Sequence, residues 1–358
     1  MVIVEVINSL NKRGGAEAFF FNLCVALSQT DGVQVVPVSL FDEIHPSWKA
    51  AFQDRGLTLF CCGKKRGFDI RAAWRFKRIV QKKRPAIVHT HLSVINTYWL
   101  AFGFARLPWS LVHTVHNVAN VDMQTTKKWI LSKYVAKGLI HFVSISDQIS
   151  NSLHSLLPKA DSQTIYNGIP LRGGLGGKKK YDLVCPARME SQKNHPLLFL
   201  AFDAFCALHP ERQFRLLCLG DGSKKAEYET MVASLPSHES IVFFGQTNDV
   251  YPFLMESKAL ILTSNYEGNP ISILEGMDCG LPIIAPRIGG IPDVIEEGTN
   301  GFLFQPGDVQ SAIGAIERWY SSGTNSTIGA NNRNAVQRYH IVATAQEYII
   351  FFKALARV

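Results

Sequence analysis

Residues 267 to 275 read Glu267-Gly268-Asn269-Pro270-Ile271-Ser-Ile-Leu-Glu275, with two carboxylates eight positions apart. Pro270 suits the first turn of a helix, where its missing N–H costs nothing, and predicts a helix from about Pro270 to Met277. Glu267 then lies on the preceding loop, and Glu275 projects from the helix about 1.5 turns further on. The free N–H groups at the helix start can bind sugar hydroxyls or phosphate oxygens. A ligand with hydroxyls at both ends and anions in its middle, such as a nucleotide sugar, fits this arrangement.

The length and composition of the chain indicate an α/β protein of two ordinary domains. It has 358 residues, of which 47% are hydrophobic, enough for two substantial cores. No apolar run reaches the roughly 20 residues of a membrane span. The start of the chain, Met1 to Ile7, carries a charge at Glu5 and predicts a buried strand rather than a signal peptide. The seven cysteines are scattered and lack zinc-ligand spacing, so we expect a reducing, cytoplasmic location.

Positive charge is concentrated in the first half of the chain. Residues 1–170 hold 20 Lys/Arg against 10 Asp/Glu, and residues 171–358 hold 17 against 19, which together give the net charge of +8. The basic cluster Lys64 to Arg66 precedes a predicted helix, about Ile70 to Lys83, that is also rich in Lys and Arg. This face is either simply solvated or docks on an anionic membrane, at about 1 kcal/mol per basic residue near the lipid. Nucleic acid is disfavoured, because no aromatic stacking series accompanies the charge.

Apolar strands alternate with helical segments along the whole chain, a pattern typical of parallel α/β domains. The first series runs from strand Val2–Ile7 to strand Gln163–Tyr166, and the second from strand Asp182–Pro186 to helix Val309–Tyr320. Between them, residues 172–180 are glycine-rich and basic and form the best linker. The predicted domains are therefore 1–170 and 171–342.

The pattern Glu-Gly-x-Pro-x-x-x-x-Glu resembles the E-x7-E motif of retaining glycosyltransferases of family 4, which have the GT-B fold. The two carboxylates alone would equally suit a surface loop before an ordinary amphipathic helix; the other motifs, in the family's order, favour the resemblance. It implies two Rossmann-like domains facing each other across a cleft, with ligands at the carboxyl ends of the strands. It also implies that the last helix, about residues 343–358, packs back on the first domain.

In the first domain, the resemblance implies roles for a glycine pair and three histidines. Gly14 and Gly15, in Lys12-Arg13-Gly14-Gly15-Ala16-Glu17, resemble the loop whose amides approach the donor diphosphate. His116, after the strand Leu111–Val115, matches a histidine that lies beside the bound sugar, where it could bind a hydroxyl or stabilise developing positive charge. His89 and His91 match a segment that faces the cleft and could touch the acceptor. A lone histidine is more often structural.

In the second domain, Arg188 and Lys193 bracket a loop that opens a helix. Two cations there could neutralise a departing diphosphate, and such charge stabilisation is often the largest catalytic contribution. The loop resembles the family's Gly-Arg-(x)4-Lys-Asn segment, with Ala187 in place of the glycine. Gly220 and Gly222 resemble the family's turn near the nucleotide, and Gln246 is expected beside the base, although simple turn and strand-end roles suit all three.

The resemblance assigns the donor contacts as follows. Arg188 and Lys193 hold the diphosphate, and Glu275 holds the ribose hydroxyls. Glu267 and the amides of Gly268, Asn269, Pro270 and Ile271 surround the transferred sugar, Pro270 contributing no N–H. The chain contains no Asp-x-Asp, the motif with which transferases of the other common fold hold a divalent metal, so no metal or other cofactor is expected.

The sequence thus predicts a retaining, metal-independent glycosyltransferase that uses a nucleotide-diphosphate sugar, UDP more than GDP. The acceptor would be a glycan or lipid-linked sugar in bacterial surface polysaccharide or lipopolysaccharide synthesis. The protein would be cytoplasmic, docked at the inner face of the plasma membrane through its basic first domain. Three alternatives remain: a sugar-nucleotide epimerase of the same fold, a polymer phosphorylase or synthase, and a non-catalytic module that docks on membranes or partners.

Overall fold

The computed structural model describes residues 1–11, 14–122, 128–174, 177–323 and 325–356. The chain divides into two compact units. The first comprises Met1–Pro170 together with Tyr339–Val358, and the second comprises Leu171–Arg338. The first break lies at the predicted position, between residues 170 and 171, and the second lies four residues before the predicted one. Leu175 and Gly176 of the predicted linker lie outside the described residues.

The first unit is built on a parallel sheet of seven strands in the order β3-β2-β1-β4-β5-β6-β7. Its strands are β1 (Val2–Ile7), β2 (Gln34–Ser39), β3 (Phe60–Cys61), β4 (Ile87–His91), β5 (Ser110–Val115), β6 (His141–Ser144) and β7 (Ser162–Thr164). Its helices before the linker are α1 (Gly15–Ser28), α2 (Pro46–Asp54), α3 (Ile70–Lys83), α4 (Ile95–Phe102), α5 (Ala119–Asp122), α6 (Lys128–Ala136) and α7 (Asp147–Leu156). Because helices cover parallel sheets on both faces, the inner strands are buried along most of their length, as β1 and β4 are.

The second unit has a parallel sheet of six strands in the order β10-β9-β8-β11-β12-β13. Its strands are β8 (Tyr181–Pro186), β9 (Leu216–Leu219), β10 (Ile241–Gly245), β11 (Ser257–Ile261), β12 (Ile283–Pro286) and β13 (Gly301–Phe304). Its helices are α8 (His195–Leu208), α9 (Lys225–Ala233), α10 (Tyr251–Met255), α11 (Ile271–Asp278), α12 (Ile291–Val294), α13 (Val309–Ser321) and α14 (Asn325–Ala335). In both sheets the chain starts near the middle and winds outward to each side.

The last helix, α15 (Ile341–Leu355), belongs to the first unit and packs on α1. Its entry is fixed by two backbone hydrogen bonds: Ile169 N donates to Tyr339 O, and Ile341 N donates to Ile169 O, each at 2.9 Å. Its buried face includes Tyr348 and Phe352. A segment that follows the second unit in sequence therefore completes the core of the first unit.

Several elements differ from those that the sequence predicted. The predicted helix Thr125–Ala136 starts outside the described residues and is seen from Lys128. Helix α2 was not predicted: its cap is the His45 side chain, which accepts from Ser47 N, an unusual capping residue. Strand β13 was not predicted either. A Cβ at Gly301 would lie 2.4 Å from Ile283 O, so the glycine allows close pairing rather than a turn.

Within the described ranges, no helix combines the length and the hydropathy that crossing a bilayer requires.

Candidate active site

The second unit brings two loops together at the carboxyl ends of β8 and β11. Lys193 lies on the first loop and Glu267 on the second, and Lys193 Nζ donates to Glu267 Oε1 at 2.5 Å. Ser264 Oγ donates to the same carboxylate oxygen at 2.6 Å. The Glu267 side chain is 7% exposed and that of Lys193 is 15% exposed. The pair is therefore nearly desolvated but open on the side of the cation.

Hydrogen bonds to backbone carbonyl groups hold these two loops in register. Asn265 N donates to Gln192 O at 2.8 Å, and Gln192 Nε2 donates to Tyr266 O at 3.0 Å. Thr263 Oγ1 donates to Lys193 O at 3.1 Å. Asn194 adopts a left-handed conformation, φ 47°, which turns the chain from the first loop into α8. The cation and the carboxylate are thus placed by their backbones and not only by mutual attraction.

The glycine pair Gly289 and Gly290, after β12, packs against the backbone of the Glu267 loop. Gly289 has φ +55°, and a Cβ there would lie 2.0 Å from Glu267 O. Gly290 N donates to Gly268 O at 2.5 Å. The sequence indicated only turn and packing roles for Gly289 and Gly290; the structure shows that what they pack against is the backbone of Glu267.

Helix α11 carries the second carboxylate of the motif. It begins at Ile271, with Pro270 as the residue before its first turn rather than within it (φ −71°, ψ 121°). Glu275 is the fifth residue of the helix and is half-buried. The next residue, Gly276, faces the sheet, and a Cβ there would lie 2.8 Å from Leu260 Cδ1. The tight packing of α11 fixes the direction in which Glu275 leaves the helix.

Arg188 is exposed, in the same loop as Lys193. Gly220 and Gly222, after β9, pack against this loop: a Cβ at Gly220 would lie 2.2 Å from Ala187 O, and one at Gly222 would lie 2.3 Å from Met189 O. Packing alone explains why both positions are glycine, and it places their turn beside Arg188. Gln246, directly after β10, is exposed, which is compatible with the predicted contact to the base.

The first unit has a polar cluster inside its core. Glu5, in the middle of β1, is fully buried. His89 Nδ1 donates to Oε1 of this carboxylate, and His91 Nε2 donates to Oε2, each at 3.0 Å. Burial alone would raise the pKa of Glu5, but the charge interaction with His89 and the hydrogen bonds from both histidines lower it to about 2. This carboxylate is ionised and accepts hydrogen bonds only.

Hydrogen bonds extend the cluster to the ends of β4 and β5. His89 Nε2 lies 2.7 Å from Thr114 Oγ1, which lies 3.1 Å from the hydroxyl of Tyr348 on α15. His91 Nδ1 lies 2.8 Å from His116 Nε2. Burial lowers the pKa of His91 to about 4, and it lowers that of His116 well below the ordinary range.

These contacts argue against the acceptor role expected for His89 and His91. Both imidazoles are fully buried, and each uses both ring nitrogens for partners inside the unit. His116 is only partly buried. The family-derived role of His116 stays a prediction.

Glu5, His89 and His91 also have the composition of a metal site, with ligand atoms within 4.8 Å of one another. Hydrogen bonds already account for this approach, since an ionised carboxylate requires N–H donors from both rings. A metal would need the same two nitrogens as unprotonated ligands. The arrangement favours a hydrogen-bonded cluster over a metal centre.

Gly14 is the residue before the first turn of α1, and Gly15 is the first residue of that helix. The carboxylate of Glu17 folds back over Gly14: Oε2 lies 2.5 Å from where a Cβ would be. Lys12 and Arg13, which precede the pair, lie outside the described residues. The contact of Gly14 and Gly15 with a diphosphate stays a prediction.

Comparison with known proteins agrees with this fold. The model of the Glycosyltransferase Family 4 matches residues 13–172, and that of Glycosyl transferases group 1 matches residues 173–335. The N-acetyl-alpha-D-glucosaminyl L-malate synthase of Bacillus anthracis is 25% identical over 292 residues, 75% of this chain and 74% of that protein. A galactosyltransferase of Escherichia coli, named UDP-Gal:alpha-D-GlcNAc-diphosphoundecaprenol alpha-1,3-galactosyltransferase, is 26% identical over 297 residues, 75% of each chain.

Solved structures show the same fold. HepE of Anabaena in complex with UDP-glucose superimposes with a TM-score of 0.81 at 18% identity, covering 99% of this chain and 100% of that one. Sucrose-phosphate synthase of Thermosynechococcus elongatus superimposes with a TM-score of 0.80, also at 18% identity, covering 99% and 98% of the two chains. The two parallel-sheet units and the charged loops define a glycosyltransferase of the GT-B type. With the two family models spanning nearly all of it, the chain belongs to glycosyltransferase family 4.

Sequence reasoning missed the residues that support these sites. Ser264, bonded to Glu267, carried no signal apart from its position before the motif. Glu5 was noticed only as a charge in an apolar strand, and that anomaly was the available signal. Tyr348 could not be linked to His89 through Thr114, because 234 residues separate Tyr348 from Thr114.

Proposed function

We propose that this glycosyltransferase transfers a sugar, with retention of configuration and without a metal, from a UDP-sugar to a glycan or lipid-linked acceptor. The observation that carries the proposal is the Lys193–Glu267 pair, with the cation on the open side. The exposed Arg188 lies in the same loop. Bacterial surface polysaccharide or lipopolysaccharide synthesis is the proposed setting. In support, some relatives are named for such work, including a lipopolysaccharide 1,6-galactosyltransferase of Escherichia coli.

The donor assignment follows from the chemistry of the second unit. Arg188 and Lys193 are the cations available for a diphosphate, and each charge-assisted hydrogen bond stabilises by about 1.5–3 kcal/mol. Glu275 and Glu267 are the carboxylates available for ribose and sugar hydroxyls. UDP is favoured as the nucleotide because HepE was crystallised with UDP and UDP-glucose.

Retention is proposed to proceed by attack on the same face that the leaving group occupies. The bond between the anomeric carbon and the diphosphate oxygen breaks as the bond to the acceptor oxygen forms. The acceptor proton passes to the departing diphosphate. Fixed cations at Arg188 and Lys193 would take the part of a divalent ion, since preorganised charge needs no metal to act.

The first unit is proposed to bind the acceptor at an anionic membrane through a docking face. This face consists of Phe68, Ile70, Trp74 and Trp129 with the basic residues Arg71, Arg75, Arg78 and Lys82, all of them exposed. Phe68 and Trp129 flank Trp99, at ring distances of 6.3 and 5.3 Å. Exposed aromatic rings among basic residues match the headgroup region of an anionic bilayer.

A donor screen tests the reaction. Thermal shift with UDP, GDP and their sugars should single out one nucleotide sugar, which at 100 times its Kd adds about 2.7 kcal/mol of stability. With that donor, turnover should persist in EDTA, and NMR of the product should show the donor's anomeric configuration. Strict dependence on a divalent ion, inversion, or release of an epimerised donor without any acceptor would each refute the corresponding part of the proposal.

Vesicle co-sedimentation tests the docking face. The protein should bind vesicles containing phosphatidylglycerol and not those of phosphatidylcholine alone. The double variant Phe68→Ser/Trp74→Ser should lose most of this binding. Ile350→Ser, at an equally exposed apolar position on α15, is the matched control and should bind as the parent does. Equal binding of both variants would contradict the assignment.

A further inference from the structure

Lys193 and Glu267 form an ion pair in the second unit, with Nζ 2.5 Å from Oε1. We propose that Glu267 discriminates the nucleoside diphosphate product from the nucleotide sugar, because its carboxylate repels the product from Lys193 and so promotes product release. This role of Glu267 goes beyond contact with the transferred sugar. The identity of the anion rests on the proposed function, whereas the competition for Lys193 rests on the geometry of the pair.

The carboxylate of Glu267 is the fixed partner of the pair. Ser264 Oγ donates to its Oε1 at 2.6 Å. The backbone of Glu267 packs against Gly289, where a Cβ would lie 2.0 Å from Glu267 O. Only 7% of the Glu267 side chain is exposed. The carboxylate therefore stays in place when Lys193 changes its partner.

Lys193 is the movable partner. Its ammonium sits on a flexible four-carbon stem and carries three donors, and 15% of the side chain is exposed. An anion oxygen in charge-assisted contact, about 2.8 Å from Nζ, lies no more than about 5.3 Å from Glu267 Oε1. Two like charges at that distance repel each other, and the repulsion is stronger where water is largely excluded. Any anion that binds Lys193 therefore meets the charge of Glu267.

This repulsion acts more strongly on the product than on the donor. In the nucleotide sugar, the second phosphate is esterified at the anomeric carbon and carries one negative charge. Transfer breaks that ester bond, and the terminal phosphate of the product has a second pKa of about 6. It therefore passes the acceptor proton on to water and carries nearly two charges at neutral pH. The hydroxyls of the transferred sugar, which could donate to Glu267, leave with the acceptor.

Calorimetry of the full-length protein with pyrophosphate and with UDP tests the competition without turnover. Glu267→Gln keeps an acceptor for Ser264 and Lys193 but removes the charge. It should bind both anions about 5- to 10-fold more tightly than the parent, because a neutral hydrogen bond holds Lys193 less strongly than a charge-assisted one. Stopped-flow displacement of UDP should show the change mainly as slower release. Unchanged, weaker or undetectable binding of these anions by the variant would overturn the inference.

Glu190→Gln is the matched control for the loss of one negative charge. Glu190 lies in the same loop as Lys193, but its carboxylate oxygens accept from Ser223 N and Ser223 Oγ, at 3.1 and 2.7 Å. Because this contact is exposed to solvent, its charge is screened, and the substitution should tighten the binding of pyrophosphate and UDP by less than about 2-fold. Equal tightening in both variants would mean that only the net charge matters, and would overturn the inference.

The nucleotide sugar selected by the donor screen separates discrimination from simple repulsion. Glu267→Gln should not bind it more tightly than the parent does, since a weaker contact with the sugar hydroxyls offsets the relief of repulsion. Equal tightening of this nucleotide sugar and of UDP would overturn the discrimination. Tighter pyrophosphate binding by Glu267→Gln, in a protein that turns over no nucleotide sugar, would refute the proposed function and support the competition for Lys193. Normal turnover of the parent with unchanged UDP affinity of the variant would do the reverse.

Discussion

Glu5 and Glu267 are both buried carboxylates at a sheet, yet the two units use them differently. Glu5 accepts hydrogen bonds from His89 and His91, and all three side chains are fully buried. Glu267 accepts from Ser264 and from Lys193, whose side chain keeps 15% of its surface exposed. The first carboxylate organises its own unit, whereas the second holds a partly exposed cation that, in the proposed mechanism, exchanges it for a ligand. Burial alone does not distinguish the two carboxylates; the exposure of the partner does.

The largest effect is expected at the open, cationic side of the second unit. Arg188→Ala should lower kcat by about 100- to 1,000-fold, as the loss of one preorganised charge does, with little change in Tm because the side chain is exposed. Arg215→Ala is the control: this exposed arginine lies at the amino end of β9 and stacks on Tyr181. Near-normal turnover of Arg188→Ala would contradict the functional role proposed for the charged loops of the second unit.

The next effect concerns the support of Glu267. Gly289→Ala should lower the free energy of unfolding by roughly 2–4 kcal/mol, from a strained φ and a backbone overlap with Glu267 O. Gly298→Ala has a similar φ, +74°, and no atom within 4 Å of the new Cβ, so it should lose only about 1–2 kcal/mol. Urea unfolding of both variants gives the difference. Equal losses of stability would mean that the Glu267 loop shifts to accommodate the new Cβ without an energetic cost.

A paired substitution compares the two carboxylates directly. Glu5→Gln should destabilise by about 1–3 kcal/mol, because an amide must turn its N–H₂ toward a buried imidazole that also donates. Glu267→Gln should lose less stability than Glu5→Gln, because its amide oxygen can still accept from Ser264 and from the partly exposed Lys193, and yet it should lose most turnover. Denaturant titration measures the stability of both variants, and steady-state kinetics measures their turnover. Similar stability losses would contradict the distinction drawn between them.

Lowering the pH should destabilise the first unit before the second, by a small free energy for each buried histidine. Burial lowers the pKa of His91 to about 4 and that of His113 to about 3 in the first unit, and that of His195 to about 4 in the second. Each of these histidines is protonated more readily when unfolded, so stability present above pH 6.5 is lost as the pH falls toward the folded values. From pH 7 to pH 6 the loss is about 0.5–1 kcal/mol per histidine.

Tryptophan fluorescence can follow this acid effect. Five of the six tryptophans belong to the first unit, and the sixth, Trp319, belongs to the second. In Trp319→Phe, the urea midpoint from fluorescence therefore reports the first unit, while far-ultraviolet circular dichroism reports both. A fluorescence midpoint that does not fall between pH 7 and pH 6 would contradict the acid sensitivity of the histidine cluster.

The sequence predicted the fold well because periodic apolar runs report strands buried on both faces, as β1 and β4 are. It also predicted that Lys193 and Glu267 belong to one site, and the structure brings them into contact. It could not predict supports that depend on distant contacts. The contact of Gly289 with Glu267 and the contact of Tyr348 with Thr114 arise only from tertiary packing. The sequence singled out His89 and His91 as candidates, but their burial depends on tertiary packing, because both rings bond to Glu5, which lies 84 and 86 residues earlier in the chain.

The return of α15 to the first unit has a consequence for synthesis. The ribosome synthesises β1 to β7 long before residues 341–355. The nascent first unit therefore remains incomplete until then, with one face of α1 uncovered. The hydroxyl of Tyr348, which meets Thr114 in the finished protein, arrives only after the whole second unit has emerged. Translation therefore offers an interval in which the second unit can mature while the first is still open to chaperones.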